Sequence, residues 1–224
     1  MTNEWGNPDA KYVILGADPT ALNSDPKGRM KYPFGLPDRN SIRSGEKCIR
    51  TRYFYRVYDN ILTVLEDNAI SGEDASEYVA DNFLIINAIG TQVRDEHGIL
   101  LETSKSVRKK EKAVNLWLKT FLYGEENGVT YKSLLAQRIR NKAVFLTSSY
   151  LLNIFSCEPW FHGFRDIEKK CKQAYITGKL PDELKKNGNA YEADFYPFYR
   201  HRKYRLSDDE WKRYRMVLKE VMRY

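Results

Sequence analysis

Tyr12-Val13-Ile14-Leu15-Gly16-Ala17-Asp18-Pro19-Thr20 decides how this chain folds. Four apolar residues in a row, closed by a glycine, form a strand buried on both faces. Gly16 permits close backbone approach or an unusual φ, and Pro19 lacks an amide hydrogen, so neither strand nor helix runs on easily. Asp18 is left at the carboxyl end of that strand. In open parallel α/β sheets this is the end at which ligands bind. The same carboxylate also suits the bracing of an Asp-Pro turn, so two roles stand open for it.

Outward from this stretch, two further apolar runs repeat the pattern. Phe83-Leu84-Ile85-Ile86-Asn87-Ala88-Ile89-Gly90 carries one amide, Asn87, near its end, and Ala143-Val144-Phe145-Leu146-Thr147 runs into Ser148-Ser149. A buried amide needs partners, so Asn87 either hydrogen-bonds a neighbouring loop or faces a ligand. Ala193 to Phe198 is the weakest strand candidate, because Pro197 lies inside it.

Helical spacing separates these runs. Phe54, Val57, Tyr58, Ile61, Leu62 and Leu65 predict a helix from about Thr51 to Glu66, and a short helix follows around Asp74 to Ala80. Val114, Trp117, Leu118, Phe121 and Leu122 predict another over Ser106 to Tyr123. Phe164, Ile167, Cys171, Ala174 and Tyr175 predict one before Gly178. The chain closes on a helix opened by a capping box, Ser207 with Glu210, whose inner face is Trp211, Tyr214, Leu218, Val221 and Met222. Strands alternating with helices predict an α/β fold: a three-layer α/β/α sandwich around a central, mostly parallel four-stranded sheet, as a single domain over residues 1–224. The long loop from Ala21 to Gly45 holds Tyr32-Pro33-Phe34-Gly35-Leu36-Pro37, an apolar knot that either folds over the strand end or plugs the edge of the core.

Bulk composition narrows the function. At 224 residues, 42% hydrophobic and 30% charged, with no apolar run of membrane-spanning length, the chain reads as a soluble globular protein without a membrane partner. Its first residues lack the features of a signal peptide, and three cysteines suit a reducing cytoplasm. The net charge is +7. From Phe195 to Tyr224 nine Lys or Arg face four Asp or Glu, and aromatic side chains interleave with them in Phe195-Tyr196-Pro197-Phe198-Tyr199-Arg200-His201-Arg202-Lys203-Tyr204-Arg205. Cations beside rings suit a nucleic-acid surface; a solvated basic face over packed aromatic stems is the plainer alternative.

Cofactor signatures are missing. Gly16-Ala17-Asp18-Pro19 lacks the later glycines of a dinucleotide fingerprint, and neither a phosphate loop nor a serine nucleophile elbow occurs. Cys157, His162 and Cys171 match no usual zinc spacing, and three cysteines are too few for an iron–sulfur cluster. No cofactor and no metal is expected.

Asp18, Asn87 and Phe34, with the aromatic–basic segment, resemble the uracil-DNA glycosylase superfamily in order and spacing. Gly16-Ala17-Asp18-Pro19 is similar to that family's first motif, a Gly-x-Asp-Pro at the end of the first central strand. Leu84-Ile85-Ile86-Asn87-Ala88-Ile89-Gly90-Thr91 is similar to the segment whose asparagine reads uracil. Phe145-Leu146-Thr147-Ser148-Ser149-Tyr150 is similar to the third strand and the helix start after it, and Phe34 falls where the family places a ring that stacks on the flipped base. The last motif, a His-Pro-Ser loop, is where the chain departs: the corresponding segment is Tyr196-Pro197-Phe198-Tyr199, with His201 four residues beyond Pro197. Thr20 stands where the strictest members carry a bulky aromatic that excludes thymine.

The resemblance implies removal of uracil or a related damaged base from single- or double-stranded DNA by hydrolysis of the N-glycosidic bond, in a monomer. Asp18 would orient water and stabilise the cationic sugar, and Asn87 would hydrogen-bond the base, with Ala17 beside it and Phe34 stacked on its face. Phe198 or Tyr199 would serve as wedge, with Arg200, Arg202, Lys203 and Arg205 on phosphates. His201, or no residue, would stabilise the departing base. The alternative is a non-catalytic protein of the same fold that binds nucleobases, nucleotides or nucleic acid, and a scaffold serving only protein contacts is a third.

Overall fold

The computed structural model of the protein describes residues 4–16, 52–87, 123–126, 129–132, 134–147, 167–189, 191–198 and 206–223. The opening stretch is a strand, β2 (Tyr12–Gly16), buried at every position. It follows a short strand, β1 (Glu4–Gly6), and pairs in parallel with both β3 (Phe83–Asn87) and β6 (Ala143–Leu146). Between β3 and β6 lies a separate antiparallel hairpin of β4 (Tyr123–Glu126) and β5 (Val129–Lys132). The last strand, β7 (Asp194–Pro197), pairs in parallel with β6.

The main sheet thus has the order β1-β3-β2-β6-β7: four parallel strands, as the apolar runs predict, plus β1 antiparallel on the outside of β3. Four strands become five because a three-residue edge strand is too short to show any periodicity. Pro197 is compatible with β7 because that strand lies at the sheet edge, where a missing N–H costs no ladder bond.

Alternation along these strands sorts two rows of side chains. One row brings Tyr12, Ile14, Phe83, Ile85, Phe145 and Phe198 into a single cluster with the helices. Ring centroids lie 4.9 Å apart for Tyr12–Phe83, 5.9 Å for Phe83–Phe145 and 5.5 Å for Phe145–Phe198. The other row, Val13, Leu15, Leu84, Ile86, Val144, Leu146 and Phe195, is at most 1% exposed. Burial on both faces is what continuous apolar runs require.

The helices are α1 (Arg52–Asp67), α2 (Gly72–Asn82), the short α3 (Leu134–Ile139), α4 (Ile167–Thr177) and α5 (Asp208–Val221). In α1, Val57, Ile61, Val64 and Leu65 keep one buried stripe, as the spacing predicts. The capping box of α5 closes in both directions: the Glu210 N–H donates to the Ser207 hydroxyl at 3.2 Å, and the Ser207 N–H donates to the Glu210 carboxylate at 2.8 Å.

Two tyrosines fix the direction of α5. The Tyr12 hydroxyl donates to the Val221 carbonyl, and the Tyr78 hydroxyl to the Met222 carbonyl, each at 3.0 Å. Tyr12 is the first residue of β2, so α5 ends at the amino edge of the sheet and begins at its carboxyl edge. Tyr175 of α4 meets Tyr214 of α5 edge-on at 4.7 Å, and Gly178 lies beside Arg213 and Val217, so the two helices run side by side in the same direction. A bidentate ion pair ties α1 to α5: Arg215 Nε donates to Asp67 Oδ2 at 2.5 Å and Nη2 to Oδ1 at 2.6 Å. Among the described residues, no helix is long and apolar enough to cross a membrane.

Candidate functional site at the carboxyl edge

All four parallel strands stop at one edge of the sheet. Gly16 pairs with Asn87, Leu15 with Leu146, and Leu146 with Pro197. From β2 the chain crosses to β3 on one side and later to β6 on the other. The order therefore reverses between β2 and β6, which makes that gap the topological switch point where open α/β sheets hold ligands.

The candidate residues distribute around this edge unevenly. Asn87 is the last residue of β3, opposite Gly16 in the register. Neighbouring strands lie about 4.8 Å apart, which sets the Cα spacing of this pair. Ala17 and Asp18, which follow Gly16 directly in sequence, lie outside the described residues. Phe34, Tyr199, Arg200, His201, Arg202, Lys203 and Arg205 also lie outside the described residues, as does the loop from Ala21 to Gly45. The helix expected over Ser106 to Tyr123 lies outside them too except for Tyr123, which opens the strand β4 instead.

Phe198 requires a correction. Its ring is 2% exposed and meets Phe145 at 5.5 Å, so it belongs to the core and is not a wedge turned toward DNA. The cause is strand alternation. Phe198 continues β7 by one step, with its N–H on the Leu146 carbonyl at 2.8 Å, and takes the same face as Tyr196 two residues earlier.

Tyr196 is likewise a strand residue. Its ring packs 5.7 Å from that of Phe145 and against the helix-side cluster. Burial, with a smaller contribution from the Asp194 carboxylate, pushes its phenol up to about 12. Near neutral pH Tyr196 is an uncharged hydroxyl, unable to take on the cationic form open to an imidazole.

Thr147 also stands at this edge, and the sequence reading gave its side chain no role. It follows β6 directly and is 1% exposed; its hydroxyl donates to the Leu15 carbonyl at 2.9 Å, and its N–H donates to the same oxygen at 3.2 Å. The available signal was a polar side chain immediately after an apolar run, the feature that singled out Asn87.

The chain matches no protein-family model, no curated protein and no solved structure.

Along the sequence, basic charge is concentrated in the segments that follow those strand ends. Segments 17–51, 88–122, 148–166 and 199–207 follow the four strand ends and carry 7, 7, 1 and 4 Lys or Arg against 4, 4, 2 and no Asp or Glu. Their sum is +9 and the rest of the chain is −2, against +7 for the whole. On α2, Glu73, Asp74, Glu77 and Asp81 are exposed, and the helix contains no Lys or Arg. Among the described residues, no group of three or more His, Cys, Asp or Glu could hold a metal ion.

Proposed function

We propose that the carboxyl edge is the working face of a DNA base-excision glycosylase in a three-layer α/β/α sandwich of the uracil-DNA glycosylase kind. One observation carries this reading. The three described segments that resemble the family's motifs, around Gly16, Asn87 and Thr147, and the segment at Pro197 that stands in place of its last motif, belong to the carboxyl ends of adjacent parallel strands. The segregation of basic charge into the segments leaving those ends supports a polyanionic partner.

In this proposal Asp18 orients water and offsets positive charge on the sugar as the glycosidic bond breaks. Asn87 hydrogen-bonds the extruded base, Phe34 stacks on it, and Ala17 lies beside it. Tyr199 replaces Phe198 as wedge, and Arg200, Arg202, Lys203 and Arg205 hold phosphates. His201 is the candidate for stabilising the departing base. The test is an excision assay on single- and double-stranded oligonucleotides bearing uracil, hypoxanthine or mismatches. Excision abolished by Asp18→Asn is expected; excision that survives the substitution removes Asp18 from the mechanism.

A second reading, a non-catalytic nucleobase- or nucleic-acid-binding protein, is favoured by Tyr196. A half-buried neutral phenol on a strand is no substitute for a loop histidine. Absence of excision alongside salt-sensitive DNA binding would select this reading.

A further inference from the structure

Two short 3-10 turns, Asp182–Leu184 and Lys186–Gly188, carry the chain toward β7. The second contains the pair Asn187-Gly188, and both residues are exposed. Glycine is required there by packing, because a Cβ on Gly188 would overlap the Asp182 carbonyl oxygen. Asn187 is under no such constraint: its side chain makes no hydrogen bond among the described residues. The turn nevertheless holds the start of β7. The Lys185 carbonyl accepts from the Gly188 N–H at 2.8 Å and from the Asn189 side-chain amide at 2.7 Å. That amide also donates to the Ala193 carbonyl at 2.9 Å, and the Lys186 N–H donates to the Asp194 carboxylate at 2.8 Å.

Asparagine is a thermolabile residue, and glycine after it leaves no side chain to crowd an attack on its amide. The Gly188 nitrogen loses its proton and bonds to Asn187 Cγ, and the side-chain nitrogen leaves as ammonia, closing a succinimide ring. Water then opens the ring at either carbonyl. One product is aspartate. In the other, isoaspartate, the main chain runs through Cβ and Cγ and is longer by one methylene. In the closed turn the Gly188 N–H is engaged with Lys185, so attack follows opening of this exposed turn, a local event well short of unfolding.

We propose that Asn187-Gly188 is a self-modifying site, at which loss of ammonia and entry of water reroute the main chain and release the start of β7. An added methylene before Gly188 finds no slack, because the Gly188 Cα already lies against Asp182. The bond from Gly188 to Lys185 breaks, and the bridge that Asn189 makes from Lys185 to Ala193 goes with it. The aspartate product keeps the original backbone and keeps the turn. None of this depends on base excision.

The experiment incubates the intact protein in mildly alkaline buffer, with and without urea, and follows position 187 by peptide mapping, which separates it from Asn127-Gly128. Isoaspartate and aspartate are expected to accumulate at 187 in the folded protein, more slowly than in urea, and Asn187→Ser is expected to show neither. Hydrogen exchange then compares the purified isoaspartyl form with wild type and Asn187→Asp. The Asp194 N–H, which donates to the Lys142 carbonyl at 3.1 Å, is the reporter. It is expected to exchange about 10-fold faster in the isoaspartyl form, the equivalent of one lost hydrogen bond, and to be unchanged in Asn187→Asp. No isoaspartate in the folded protein by the time the urea sample has converted overturns the proposal, as does aspartate formed without isoaspartate. Exchange at Asp194 that stays the same in the isoaspartyl form, or rises equally in Asn187→Asp, overturns the link to β7.

Discussion

Gly16 and Asn87 stand opposite each other, in register, as the last residues of two adjacent parallel strands. They lie 71 positions apart in sequence, so only the sheet brings them together. The chain that carries Asp18 leaves from one of them, and the amide expected to read the base belongs to the other. Asn87 contributes its backbone to the ladder whatever its side chain, so Asn87→Ala is expected to leave the fold intact. A well-placed amide–base pair is worth about 1–3 kcal/mol, so binding to uracil-containing single-stranded DNA is expected to weaken about 10- to 100-fold. Binding titrations of both proteins check this, and an unchanged Kd removes Asn87 from the site.

Tyr196 carries the most direct pH signature. Its phenol is raised to about 12 in the folded protein, above the ordinary value of 10.0. The folded state therefore holds this proton more tightly than the unfolded chain does. The resulting stability is full below pH 10 and is lost as pH rises from there through about 12. Near-ultraviolet phenolate absorbance is expected to show a late step that Tyr196→Phe removes. Denaturant unfolding in the same range is expected to fall less steeply with pH in the variant.

The amino terminus of α5 is sensitive to acid. The Ser207 N–H, bonded to the Glu210 carboxylate, holds that carboxyl below its ordinary range. A depressed folded-state value means stability that is present above the ordinary carboxyl range and lost as pH falls through the folded value. Ser207→Ala, which removes the hydroxyl that caps the Glu210 N–H, is expected to cost about 1 kcal/mol in urea unfolding at neutral pH. Glu210→Gln is expected to flatten the acid limb of the stability profile.

Gly6 sets the path of the antiparallel edge strand. Its φ is +99°, and a Cβ there would overlap the Phe83 carbonyl oxygen. Gly6→Ala is expected to destabilise the protein by roughly 2 kcal/mol or more, from left-handed strain plus overlap with backbone. Hydrogen exchange is expected to locate the loss in β1 and β3. Protection unchanged in both strands would show that the edge can shift to make room.

Legibility in the sequence followed pattern length. The strands β2, β3 and β6 and the helices α1 and α5 announce themselves through unbroken apolar runs, a stripe of several turns, and a capping pair. The strand β1 has three residues and no alternation to read. The hairpin of β4 and β5 did have a signal: Asn127-Gly128 between Glu126 and Val129, which close the ladder as a pair. Its arms, Tyr-Gly-Glu-Glu and Val-Thr-Tyr-Lys, are too polar and glycine-broken to stand out as strands. At the edge itself, the strand ends around Gly16, Asn87 and Thr147 were legible because each apolar run stops at a glycine or polar residue. The fate of Phe198 was not, because a single extra step of alternation decides whether that ring enters the core or meets a partner. Nothing in the local sequence marks where β7 ends.

The most direct measurement is a backbone amide NMR titration of the protein with a uracil-containing single-stranded oligonucleotide. Shifts concentrated at Gly16, Asn87, Thr147 and Phe198, at the strand ends, and fading with added salt are the predicted result. Shifts that instead centre on Tyr12, Phe83 and the helix α2, at the opposite edge, or no shifts at all, would contradict it.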